Sequence, residues 1–410
     1  MPPGTLVPMP DHATETASSP GAPPAPPPGT PLALQAGRPR IAVIGTSNSV
    51  AAGGWARVVQ QAVEVVEASN LSLGFCSSDL FAFRREAMDF AALDLCLVDF
   101  ACNDGTLLAS HSHAQRQVEA ALRAMVSETT RQGCLPVLMI LPVNSFRPDG
   151  GRIAALYRAV AEKFALPFFD GYAFLNRLCA TPEMEGVALF KDNMHLDNPV
   201  SVQLGRMVVE LLPGLAARRD LAAPLRRSTG FRYRYFPAGP AIRRGFTRLR
   251  RETALIGVDL VEIQSETAAD FRLPNGYEAT GLVADFGHSH TLLTASGTRS
   301  VRLHVASKHD GAPPEKMVLG IWPMPRPVPE MGGFIRLTIG RGRNWDVTTD
   351  HSVKPVGEEE APRLALAGLV ARERQAELPW RALLPGALDL CALVPEARFA
   401  MARAALRGGR

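Results

Sequence analysis

The sequence has no run of about 18 or more uncharged apolar residues, so it offers no candidate membrane-spanning helix. Cysteine is scarce: Cys76, Cys96, Cys102, Cys134, Cys179 and Cys391 are scattered, and none stands in CxxC spacing. That excludes a zinc-ribbon framework and a small disulfide scaffold, and points to reduced thiols. The opening residues, MPPGTLVPMPDHATETASSP, lack the basic and apolar blocks of a secretory signal. Together these absences predict a cytoplasmic protein. An excess of charge is missing too. Lys and Arg number 44 against 40 Asp and Glu, a net +4 over 410 residues. So small a surplus argues against a dedicated nucleic-acid binder. What the chain does have is apolar content: 46% hydrophobic residues, enough for a sizeable core and incompatible with a mainly disordered chain.

Texture divides the chain. Residues 1–37 hold 11 of its 34 prolines, including Pro26-Pro27-Pro28, and are expected to form a disordered Pro-rich tail. Residues 38–219 alternate short apolar runs with helical periodicity. Ile41–Ile44, Leu71–Leu73, Leu93–Phe100, Leu135–Leu141 and Pro167–Asp170 are expected strands. Helices are expected over Trp55–Ala68, Ala114–Gln132, Ile153–Phe164 and Pro199–Leu212. Strands that are apolar throughout belong to a parallel sheet covered on both faces. The expected fold is therefore α/β, a doubly wound three-layer sandwich, flavodoxin-like in type, with reactive groups on loops at the carboxyl ends of strands. Residues 220–252 form an Arg-rich linker or edge segment, with nine arginines between Arg226 and Arg251. Residues 253–410 are β-rich, with stretches such as TGLVADF, SVRLHVAS and GFIRLTIG between turn formers, and are expected to form a sandwich-like C-terminal domain.

Four short segments carry candidate chemistry. Gly45-Thr46-Ser47-Asn48-Ser49 ends the first strand. A serine on a tight strand-to-helix turn points its hydroxyl over the sheet edge, beside free amide hydrogens. The plainer reading is a capping serine. Asp192-Asn193-Met194-His195 precedes the last helix, and this spacing lets one turn hold a carboxylate against an imidazole. The plainer reading is a solvated loop. Asn103, after the third strand, can aim an amide at a developing oxyanion, although an Asx turn is its commoner role. Gly74, after the second strand, lets a backbone N–H approach a ligand, or is simply a turn residue. In a doubly wound sheet these four loops converge on one edge, and together they supply a nucleophile, a base, an orienting acid and oxyanion donors.

In order and context the segments resemble the blocks of the SGNH hydrolases, the GDSL-type esterase and lipase superfamily, over about residues 39–215. The resemblance implies an acyl-enzyme mechanism with Ser47 as nucleophile, His195 as base and Asp192 as its partner. It also implies an oxyanion hole formed by Ser47, Gly74 and Asn103. It implies neither a cofactor nor a metal. Thr46 stands where the family usually has aspartate, and Ala101-Cys102 replaces a glycine-containing lead into the asparagine. The expected substrate is a short-chain acyl ester, acetyl included, of a carbohydrate or small molecule. Two alternatives share the site: an O-acyltransferase acting on a glycan, and a catalytically silent binder of a glycan or partner.

Other residues invite assignment. His111 and His113 follow the Asn103 loop and are candidate substrate-binding groups. So are Arg232 and Arg234 in the aromatic-interleaved run Phe231-Arg232-Tyr233-Arg234-Tyr235-Phe236, which suits an acidic glycan, a nucleotide sugar or an anionic headgroup. Cys76 and Cys102 each lie near a presumed oxyanion donor and are expected to be small apolar fillers. His288, His290 and His304 are expected to be surface histidines rather than metal ligands.

Overall fold

The computed structural model describes residues 38–74, 76–109, 115–144, 150–217, 232–242, 246–252, 256–264, 266–305, 319–342, 344–348, 361–374 and 387–408. The Pro-rich tail lies outside them, as do Arg226, Arg227, Arg243 and Arg244 of the arginine cluster. From Arg38 onward the chain forms one compact unit.

The first half is the expected α/β layer. Its strands are β1 (Arg40–Gly45), β2 (Glu67–Asn70), β3 (Leu95–Asp99), β4 (Leu135–Ile140) and β5 (Pro167–Asp170). They are all parallel, in the spatial order β5-β4-β3-β1-β2. β3, β4 and β5 are buried at every position, because helices cover both faces. β2 (EASN) alternates exposed and half-buried residues, as suits an edge strand. It takes residues that helical periodicity assigns to the preceding helix, and that helix stops at Gln61. The helices are α1 (Ser47–Val50), α2 (Trp55–Gln61), α3 (Leu80–Arg84), α4 (Ala101–Ala109), α5 (Gln115–Arg131), α6 (Gly151–Phe164), α7 (Gly171–Leu178) and α8 (Asn198–Ala216).

α8 shows how sequence becomes packing. Pro199 occupies its first turn, where no N–H is needed. Val200, Leu204, Met207, Val208, Leu212 and Leu215 recur at helical spacing and enter one apolar core with Trp55 and Val59 of α2. Each such buried side chain is worth about 1.5–3 kcal/mol. A Cβ at Gly205 would come within 2.7 Å of the Trp55 carbonyl oxygen, so glycine permits the close crossing of α2 and α8. The Trp55 N–H also donates to the Ser201 hydroxyl at 2.9 Å. The loop just before α8 is thereby fixed beside the turn just before α2.

The second half is antiparallel except for one short pair. Its strands are β6 (Tyr233–Pro237), β7 (Thr247–Glu252), β8 (Gly257–Ile263), β9 (Thr267–Arg272), β10 (Tyr277–Asp285), β11 (Thr291–Ser296), β12 (Ser300–Val305), β13 (Leu319–Pro329), β14 (Phe334–Gly340), β15 (Val347–Thr348) and β16 (Leu364–Glu373). One sheet runs β13-β10-β16-β8-β7, with β6 also paired to β16, and the other runs β15-β12-β11-β14-β9. The expected sandwich is present. β14 alternates exposed and buried residues, and Ile335, Leu337 and Ile339 point into the inter-sheet core. β10 is buried at every position because both its faces are covered. Leu282 and Ala284 face the sandwich core, while Val283 joins the core of the α/β half. β16 divides likewise, with Leu366 and Leu369 on one side and Ala367 and Val370 on the other. This sheet is therefore a shared wall between the two halves.

Within residues 220–252, expected as a linker or edge segment, β6 and β7 pair into the shared sheet, with β7 at its edge. One expected boundary shifts: residues 253–410 do not all stay in the β half. β17 (Leu388–Asp389) pairs in parallel with β5 and extends the α/β sheet to six strands. After it, α9 (Leu390–Leu393) and α10 (Glu396–Gly408) pack into the α2–α8 core through Leu390, Phe399 and Leu406. A two-residue strand carries too short an apolar run to be read from sequence. Among the described residues no helix is long and apolar enough to cross a membrane.

Candidate active site

The site begins where β1 stops. A Cβ at Gly45 would meet the Asp99 carbonyl oxygen at 2.7 Å and the Ser49 hydroxyl at 2.7 Å, so a side chain cannot fit where the chain leaves the sheet. Thr46 is extended, Ser47 opens the single turn α1, and the half-buried Ser47 hydroxyl sits at the sheet edge. Beneath it, Ser49 donates to Asp99 at 2.6 Å, and burial pushes that carboxyl up to about 7.

The partner arrives from 148 residues away. Residues 189–197 form a closed loop. Asp197 N–H donates to the Leu189 carbonyl at 2.9 Å, Lys191 N–H donates to the His195 carbonyl at 3.1 Å, and Phe190 bridges Leu196. Asn144 N–H, beyond the end of β4, anchors the loop through the Asn193 carbonyl at 3.1 Å. Within it the Asp192 carboxylate accepts from Met194 N–H at 2.7 Å and His195 N–H at 2.8 Å. It also meets His195 Nδ1 at 2.8 and 2.9 Å. Partial burial opposes the Asp192 charge. The Met194 and His195 amides and the imidazole outweigh it and hold the carboxyl below its ordinary value. His195 Nε2 then lies 2.7 Å from Ser47 Oγ. With Nδ1 facing the carboxylate, Nε2 is placed to accept the serine proton. The chain Ser47–His195–Asp192 is therefore continuous at hydrogen-bond distances.

The other expected residues are placed unequally. Gly74 adjoins Ser47: the nearest atom to a Cβ built on it is Ser47 Cβ, at 3.9 Å. The space that glycine leaves open is thus in front of the serine. Asn103 lies in the first turn of α4 rather than in a loop, and its amide donates to the Cys76 carbonyl at 2.9 Å, in the segment that follows Gly74. One of its two amide hydrogens is used there. Asp104 braces the same segment, accepting from Ser78 N–H at 3.0 Å and from the Tyr157 hydroxyl at 2.7 Å. His111 and His113 lie outside the described residues. Arg232 and Arg234 belong to the β6 region, and no hydrogen bond or ion pair among the described residues joins them to Ser47, His195 or Asp192.

Sequence reasoning passed over Asn48 and the role of Cys102. Asn48 donates to the Met194 carbonyl at 3.1 Å, tying the serine turn directly to the Asp192–His195 loop. Its place beside Ser47 was the available signal. The Cys102 thiol contacts Thr46 Oγ1 at 3.2 Å and Asn48 Nδ2 at 3.6 Å, so it joins the serine turn to the Asn103 turn. Cys76 and Cys102 are buried, free thiols, each pushed up to about 12 by burial, and fit the expected role of fillers. The expected surface position of His304 is wrong. It is fully buried, and its ring stacks on Trp345 with centroids 4.6 Å apart. No cluster of three or more metal-ligating side chains occurs among the described residues.

No family model matches the chain, and no curated protein matches it. Solved structures do. A two-domain esterase active on acetylated mannans aligns over 82% of this chain and 92% of its own, at 11% identity and a TM-score of 0.50. The acetyl xylan esterase AlAXEase aligns over 43% of this chain and 98% of its own, at 18% identity and a TM-score of 0.36. Axe2, an acetylxylan esterase from Geobacillus stearothermophilus, covers 42% and 93%, at 19% identity and a TM-score of 0.35. The smaller two align with less than half of this chain; the two-domain esterase extends across most of it. What the chain has in common with that two-domain esterase is a fold: a parallel α/β layer joined to an antiparallel β half.

Proposed function

We propose that the chain is a serine ester hydrolase of the SGNH type, acting through an acyl-enzyme on Ser47. The observation that carries this reading is the 2.7 Å approach of Ser47 Oγ to His195 Nε2, with Asp192 behind the ring. In the first step His195 takes the serine proton as Oγ attacks the ester carbonyl, and Asp192 stabilises the imidazolium. The Ser47 and Gly74 backbone N–H groups and the remaining Asn103 amide hydrogen hold the oxyanion. Such a donor is typically worth about 2.7–4 kcal/mol. His195 then returns its proton to the leaving alcohol. In the second step it activates water to release the acid. The open space before Gly74 suits a small acyl group, and acetyl on a polysaccharide is the substrate class we favour. The activity of the two-domain esterase on acetylated mannans supports that choice.

The test is acetate release from acetylated mannan and acetylated xylan, alongside hydrolysis of 4-nitrophenyl acetate. Wild-type protein should turn over the small ester, and Ser47→Ala should lose that turnover. Undiminished activity in Ser47→Ala would overturn the mechanism. Turnover of the small ester with neither polysaccharide would overturn the substrate class alone.

A further inference from the structure

Ser49 takes no part in the proposed chemistry, although it lies buried two residues beyond Ser47. Each of its polar groups is engaged. Its N–H donates to the Thr46 carbonyl at 3.0 Å, its hydroxyl donates to Asp99 at 2.6 Å, and its carbonyl accepts from Asn70 Nδ2 at 2.6 Å. The two side chains it meets are the last residues of the strands that flank β1: Asp99 ends β3 and Asn70 ends β2. A helix of four residues has no stability of its own, and the Thr46 side chain makes no capping bond to α1. Ties to both neighbouring strands therefore hold the turn that carries Ser47.

Both partners also lead to the expected oxyanion donors. Asn103 follows Asp99 by four residues, and Gly74 follows Asn70 by four. The short path from Asn70 to Gly74 is held down along its length. Asn70 Oδ1 accepts from Ser72 N–H at 3.0 Å, and the Leu71 and Leu73 N–H groups donate to the Val43 and Gly45 carbonyls at 2.8 and 3.1 Å. Asn70 thus uses both ends of its amide, one on the turn of Ser47 and the other on the loop of Gly74. On the opposite side, Asp99 joins the same turn to the strand that runs into α4 and Asn103.

We propose that Ser49 and Asn70 are positioning residues, which fix Ser47 Oγ relative to the Gly74 and Asn103 donors. The inference rests on the hydrolase reading and adds which residues set its oxyanion geometry. Such a brace acts in the transition state. As Oγ bonds to the carbonyl carbon, the carbonyl oxygen must come within hydrogen-bond reach of donors carried by two other strands. A misplacement of about 1 Å can lower the rate about 10²-fold. Binding of the intact ester depends less on that alignment, so the loss falls on kcat rather than on KM.

The test is steady-state kinetics of the full chain on 4-nitrophenyl acetate, well below each variant's melting temperature, with inhibition by phenylboronic acid, which forms a tetrahedral adduct on a reactive serine. The variants are Asn70→Ala, Asn70→Asp and Ser49→Ala. Asn70→Asp keeps the acceptor for Ser72 N–H and loses the donor to the Ser49 carbonyl. Each variant should lower kcat by about 10- to 100-fold and leave KM within about twofold. The boronate should weaken by about the same factor as kcat/KM. A role in stability alone would lower the melting temperature and leave kcat and boronate affinity at wild-type values, and that result would overturn the proposal. So would a loss confined to KM. Should Ser49→Ala not fold, the half-buried Asn70 decides the matter through its two variants. Ser47→Ala separates the two levels. If it keeps full activity, the hydrolase reading falls and this one with it. If it is inactive while the Asn70 variants turn over like wild type, only the positioning assignment falls.

Discussion

Two Asp-x-x-His turns in this chain have nearly the same local geometry and very different surroundings. In the α/β half, Asp192 accepts from Met194 N–H at 2.7 Å and meets His195 Nδ1 at 2.8 Å. In the β half, at the end of β10, Asp285 accepts from Gly287 N–H at 3.0 Å and meets His288 Nδ1 at 2.8 Å. Both turns orient an imidazole against a carboxylate. Only one then meets a serine hydroxyl. His195 Nε2 lies 2.7 Å from Ser47, whereas His288 Nε2 is buried and has no hydrogen-bond partner among the described residues. The adjacent Ser289 does not serve the ring. Its hydroxyl donates to the Asp285 carbonyl at 2.7 Å and accepts from Ala365 N–H at 3.0 Å. The carboxylates differ as well: the Asp192 side chain is 49% exposed and that of Asp285 1%. A carboxylate–imidazole turn is thus a local device the chain can make twice. What makes one of them a candidate catalyst is the topology that delivers residue 47.

The comparison can be broken by matched substitutions. The largest expected effect is in His195→Ala, which should lower kcat by about 10⁴-fold or more on a short acyl ester. His288→Ala should leave kcat within about twofold and lower the melting temperature instead. It strips a buried carboxylate of its ring partner, at a cost of about 1–3 kcal/mol. Asp192→Asn should follow, with a loss of about 10²–10⁴-fold in kcat, milder than for a buried orienting acid because solvent already reaches this carboxylate. Asp285→Asn should leave the kinetics unchanged. Asn103→Ala should cost about 10²–10³-fold, mainly in kcat, if its free amide hydrogen stabilises the transition state.

The smallest effect concerns stability. Burial raises the carboxyls of Asp79, Asp99 and Asp104 to about 8, 7 and 6, and the Asp104 charge raises Asp79 further. Between about pH 4 and those folded values the native state holds protons that the unfolded chain has released. Stability should therefore fall as pH rises through that window and level off above about 8. Melting temperatures from pH 5 to 9 check this, and Asp99→Asn should flatten the middle of the curve.

Much of the fold was legible because burial on both faces leaves a plain mark. β1, β3, β4 and β5 are apolar runs that stop near where the ladder stops. β2 was displaced because an edge strand is free to be polar. α4 was missed because Asn103, Asp104 and Gly105 have the composition of a turn, yet tertiary bonds from Ser78 and Tyr157 hold Asp104 in a helix. The return of residues 388–408 to the α/β core left no local mark, since its pairing strand is two residues long. The candidate site was legible as residue types at strand ends. Its distances were not, because Asn48, Cys102 and the Asn144–Asn193 bond set them across the chain. The Asp-x-x-His spacing of Asp285–His288 was equally legible; what was not is that no serine would meet that ring.

The most direct measurement is covalent labelling with a fluorophosphonate, followed by peptide mass spectrometry. The account predicts one adduct on the peptide containing Ser47, absent in Ser47→Ala, slowed by orders of magnitude in His195→Ala and undiminished in His288→Ala. Natively folded protein that takes no label, or takes it at a serine other than Ser47, would contradict it.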